Sequence, residues 1–198
     1  MIIQADKEKV LKEFEEKYVH NRYITEFEKI IEKYKTNRES IKENLTSKFN
    51  SICTKTILLQ EKELKGEIRY IYFSMLRTKI LENKGQWRID FYDKKWFLDK
   101  QECSINIDLG FIYEPLFNHM KELSDKKKEY GRTIKEKDIE VIKLREAEKY
   151  HGLAIGIIMK MLESFLECTS YKEMKKKEDI VIMAGEYKDY NILIYSQN

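Results

Sequence analysis

Residues 85–103, GQWRIDFYDKKWFLDKQEC, hold both tryptophans of the chain and four acids, Asp90, Asp93, Asp99 and Glu102. Clustered carboxylates can hold a divalent cation or divide acid and base work between them. Yet Trp87, Ile89 and Phe91 alternate with Arg88, Asp90 and Tyr92, a period of two that predicts a strand with Asp90 on its polar side. Asp93, beside Lys94 and Lys95, stands where a turn favours a short side chain that bonds nearby backbone. The stretch therefore reads first as an aromatic hairpin and second as a site.

The segment DIVIMAGEYK, 179–188, follows at very short spacing the order of an acidic strand and then Glu-x-Lys used by metal-dependent nucleases. Asp179, Glu186 and Lys188 are the residues of that order, and Asp90, Asp93, Glu186 and Lys188 would form the alternative site. In a chain this rich in Glu and Lys the pair recurs by chance, and a hairpin turn explains Gly185 to Asp189 more simply. His20, His119 and His151 show no zinc spacing. The three isolated cysteines, Cys53, Cys103 and Cys168, suit buried thiols in a reducing compartment. None of the seven glycines falls into a phosphate-cradling pattern, so no metal and no cofactor is expected.

The elements that would position these residues follow from composition and periodicity. At 198 residues, 42% apolar and 12% aromatic, the chain can build one domain with a sizeable core. The 37% of charged residues must clothe exposed helix faces, and a net charge of +3 names no polyanionic partner. Only seven of the basic residues are Arg, the type that forks onto phosphate and guanine edges. Lys126–Lys128 and Lys175–Lys177 alternate with acids and read as solvated helix ends. The most apolar stretch, GLAIGIIMKML at 152–162, is about half the roughly 20 residues of a membrane-spanning helix. The N-terminus has no secretory pattern, so a cytoplasmic location is expected.

Leu11, Phe14, Tyr18, Ile24, Phe27, Ile31 and Tyr34 predict a helix that bends or breaks near His20 and Asn21. Ile41, Leu45, Phe49, Ile52, Thr56 and Leu59 predict a second, closed by Gly66, the two forming a long helical hairpin over 6–65. In the central region, 67–130, residues 67–83 carry both a period-two and a period-3.6 pattern and are taken as helix. Strands follow over 87–92 and 103–109, then a helix from Phe111 to Lys128. A long helix over 134–168, capped at Thr133, precedes a C-terminal hairpin within 179–196. Gly152 and Gly156, one turn apart, predict a close crossing against that long helix.

The reading is thus an α+β chain, 1–198, forming one predominantly helical domain with one or two small antiparallel sheets at about 87–109 and 180–195. The function expected is a non-catalytic, cytoplasmic protein-interaction module of a bacterial adaptor, immunity or antitoxin type, binding another protein or itself. Its contact surface is assigned to the aromatic hairpin, Trp87, Phe91, Tyr92, Trp96 and Phe97, because aromatic side chains anchor interfaces. The alternative is a nucleic-acid-binding protein, acting as a metal-dependent nuclease through Asp90, Asp93, Glu186 and Lys188.

Overall fold

A computed structural model describes the backbone of residues 2–197 and the side chains from Lys7 onward. Three helices open the chain: α1 (Ile2–Tyr18), α2 (Arg22–Thr36) and α3 (Arg38–Glu61). The chain breaks at Asn21, within the stretch where a bend or break is predicted, and turns again at Asn37. Asn21 takes φ +58°, a left-handed conformation that Asn tolerates better than most residues, and Asn37 turns the chain between α2 and α3. The phase slips too, since α2 buries Glu26, Ile30 and Tyr34 while Ile24 and Ile31 face out.

Residues 67–83 are not the expected helix. They form strand β1 (Ile68–Met75) and a single helical turn, α4 (Arg77–Leu81). β1 is the central strand, flanked on both sides and buried along most of its length, so its apolar residues run nearly continuously and mimic a helical period. β2 (Gln86–Asp93) and β3 (Ser104–Asp108) continue the sheet, joined by a strap containing the 3-10 turn η1 (Trp96–Leu98). Then come α5 (Gly110–Lys126), the 3-10 turn η2 (Lys127–Tyr130), α6 (Glu136–Leu166), the short α7 (Thr169–Glu173), and strands β4 (Lys176–Glu186) and β5 (Asn191–Ser196). The N-cap of α6 is Lys135, not Thr133, with Asp138 reaching back to the Lys135 backbone N–H.

The strands form one five-stranded sheet in the order β3-β2-β1-β4-β5 rather than two separate hairpins. β1 and β4 pair in parallel, with Ile71 beside Ile182 and Phe73 beside Ala184, and every other pair is antiparallel. Ile71, Phe73 and Met75, Trp87, Ile89 and Phe91, and Ile180, Ile182 and Ala184 all face one side and are fully or almost fully buried. Helices α3 and α6 pack there: Phe49 and Phe165 stack at 4.6 Å and both meet Phe73. Each such large apolar side chain, once buried, contributes about 2–3 kcal/mol. Gln60 ties the end of α3 to this layer, donating to the Gly66 and Lys175 carbonyls.

No close crossing accompanies Gly152 and Gly156, since a Cβ at either would meet nothing within 4 Å. The lysine clusters are largely engaged: Lys126 pairs with Glu129, Lys127 with Glu136, Lys128 with Asp125 and Lys177 with Glu67. Among the described residues no helix is long and apolar enough to cross a membrane.

Candidate functional site

The opposite face of the sheet, open at Leu193 and along the strap, also buries Tyr72, Ser74 and Asp90. Strand alternation puts Tyr70, Tyr72 and Ser74 of β1 on this open face, with Arg88, Asp90 and Tyr92 of β2, Val181 and Met183 of β4, and Leu193 of β5. The strap between β2 and β3 folds over the β1–β2 end. Trp96 Nε1 donates to the Tyr72 hydroxyl at 2.8 Å, and Trp96 and Phe97 stack on each other at 4.5 Å. Phe97 also meets Tyr72 and Tyr92 at 5.7 and 5.4 Å. The outer surfaces stay bare: Trp96 is 44% exposed, Phe97 37% and Leu98 82%.

A buried ion pair holds this knuckle in place. Lys65, in the link from α3 to β1, reaches Asp99 at 2.5 Å, with 0% and 4% of the two side chains exposed. Lys65 also donates to the Gln101 carbonyl, and Asp99 accepts from the backbone N–H groups of Asp93 and Gln101. Asp93 in turn accepts from the Lys95 N–H and closes the turn before Trp96. So anchored, the strap keeps Trp96 at φ +56°, a left-handed backbone that a bulky residue adopts only when its surroundings impose it. Exposed lysines rim the knuckle: Lys94, Lys95 and Lys100 on the strap, and Lys188, whose ammonium lies 5.8 Å from the Phe97 ring centre.

The carboxylates of 85–103 do separate structural work. Asp90 is buried and takes a bidentate grip from Arg88, which also reaches Glu102. Burial raises the Asp90 pKa above the ordinary carboxylate value in spite of that partner. Register then separates the residues of the nuclease alternative. Asp93 lies beside Ile68, Asp90 beside Tyr72 and Glu186 beside Met75. From Ile68 to Met75 is seven residues, roughly 23 Å along a strand. Glu186 pairs with Arg77 instead, and Lys188 lies over Phe97 and Tyr187. Among the described residues no three His, Cys, Asp or Glu gather to hold a metal ion.

Of the aromatic residues assigned to a contact surface, Trp87 and Phe91 cannot serve in the folded monomer. Both are fully buried on the core face, where Trp87 donates to the Tyr113 hydroxyl. Tyr92, Trp96 and Phe97 lie on the open side. The period of two across 87–92 already separates Tyr92 from Trp87 and Phe91. Leu98 and Leu193, 55% exposed, were not singled out by sequence, and neither was Lys65; no short-range pattern marks a lysine for burial.

Fold and site together define an α+β domain whose single mixed sheet is backed by helices on one face and strapped by a pinned aromatic knuckle on the other. No protein-family model, no curated protein and no solved structure matches this chain.

Proposed function

We propose that the chain is a non-catalytic protein-interaction module that docks through the open face of its sheet, with Trp96, Phe97 and Leu98 as anchors. The observation that carries this reading is three consecutive large apolar side chains, each more than a third exposed, on a turn pinned by a buried ion pair. A rigid anchor loses little conformational freedom on binding, which is how preorganised interface residues gain affinity. Met183 and Leu193 extend the apolar surface across the sheet from Tyr72. The lysine rim favours a partner with an apolar pocket bordered by acids.

The test is capture from lysate of the source cells at low and moderate salt, using the tagged protein and its Leu98→Glu variant. Leu98 is too exposed for this change to disturb folding. A stoichiometric protein retained at the higher salt by the parent and lost by the variant supports the reading. Equal capture by both refutes the anchor. Nucleic acid that washes off as salt rises replaces it with the nucleic-acid alternative. A shift to twice the monomer mass that Leu98→Glu abolishes identifies the partner as a second copy.

A further inference from the structure

Two lysines are buried among the described residues, Lys65 and Lys143, and their surroundings differ. Lys65 is neutralised by Asp99. Lys143, on α6 and only 6% exposed, forms no ion pair among the described residues. Its ammonium donates to the Leu81 carbonyl at 2.9 Å and to Asn83 Oδ1 at 2.7 Å, and lies 5.5 Å from the centre of the Phe117 ring. Two of its three hydrogens are thereby used on neutral acceptors. Buried charges in proteins are ordinarily paired, and burial here pushes the Lys143 pKa down.

Lys143 and both of its acceptor residues border a groove. Leu81, Asn83, Phe117 and Lys143 all line a cavity of about 480 Å³ between α5 and α6, and Asn83 and Phe117 also line a neighbouring cavity of about 440 Å³ at the start of α5. Asn83, which fixes the ammonium, is held at φ +58°. The charges facing the groove decide which ligand it suits. Glu140 lies one turn before Lys143 on the same helix, and Glu136 lies two turns before it, engaged by Lys127 and Ser124. Lys121 faces the groove from α5, and Lys84 lines the adjoining cavity with Asp108 and Glu114. Glu136 is paired with Lys127, so Lys143 and Lys121 against Glu140 leave one net positive charge, which a single negative charge balances and a dianion such as a phosphate ester exceeds. Phe117, Leu81 and Ile139 offer an apolar wall for the rest of the ligand.

We propose that this groove binds a small monocarboxylate, its anionic end on the Lys143 ammonium and its apolar body along Phe117. The probe is sodium benzoate, titrated into the ¹⁵N-labelled protein against sodium chloride at matched ionic strength and pH. Amide resonances around Leu81, Asn83 and Phe117 are expected to shift saturably, with a dissociation constant on the order of 1 mM. Lys143→Met should weaken binding at least tenfold. Asn118→Trp, a change at an exposed residue of the groove, fills the space with the ammonium intact and should do the same. No saturation at ten times that concentration overturns the proposal, and so does equal affinity in the parent and the variants. Should Lys143→Met fail to fold, Asn118→Trp alone decides, and undiminished binding there refutes the site.

Discussion

Replacing Asp99 by Leu removes one member of the pair that holds the knuckle. Lys65 would be left with its ammonium buried and without an anion, a situation that costs about 3–5 kcal/mol. The Asp93 and Gln101 N–H groups lose their acceptor as well, at about 1 kcal/mol each. The strap has a cheaper response than keeping all three unsatisfied: it can lift off the sheet and return Lys65 to water. The loss seen in urea unfolding should then be about 3 kcal/mol, less than the sum, because local opening limits it. Trp96 reports the opening directly. It leaves Tyr72 and is quenched by acrylamide more strongly than in the parent, where it is already 44% exposed, while Trp87, fully buried against Tyr113, stays shielded in both proteins. The double variant Lys65→Met/Asp99→Leu replaces the pair by apolar groups and should recover at least half of the lost stability, because no charge remains buried. If Asp99→Leu stays within about 1 kcal/mol of the parent, and Trp96 is quenched no more than before, the pair does not hold the knuckle.

The fold gives two further expectations. Trp87 Nε1 donates to the Tyr113 hydroxyl, which also shares a hydrogen bond of 2.7 Å with His151 Nδ1, and burial, aided by Arg77, pushes the His151 pKa down from 6.5 to about 4. A depressed folded pKa stabilises the fold above the unfolded value and loses that contribution as pH falls toward the folded one. Stability should therefore drop by about 2 kcal/mol from His151 between about pH 8 and pH 5, and His151→Gln should show that much smaller a drop; an equal drop in both would count against a buried neutral imidazole. Gly185 tolerates no side chain, because a Cβ there would stand 2.2 Å from the Tyr190 carbonyl oxygen and 2.7 Å from Asn191 Cα. Gly185→Ala should cost about 2 kcal/mol and loosen β4–β5 pairing, read as a lowered melting temperature and faster amide exchange over 191–196; parental stability would contradict the close approach.

The amino-acid pattern by itself determined the elements whose side chains repeat with one clear period. Ile112, Leu116, Met120 and Leu123 mark the buried face of α5, and Ile139, Ile142, Ile157, Met161 and Phe165 that of α6. Trp87, Ile89 and Phe91 mark the buried face of β2. The α+β class was legible from these alone, as was the polar placing of Asp90. The assignment of 67–83 failed because β1 is buried along most of its length, and such a strand loses the alternation that identifies it. Only the tertiary structure decided that β1 pairs in parallel with β4, which fuses two hairpins into one sheet, since pairing between segments more than a hundred residues apart leaves no mark in either. It also decided which aromatic residues face water and which two of the many lysines are buried, one beside an anion and one without. A lysine's type is the same in both places, and its energetics are set by neighbours that the chain brings together only on folding.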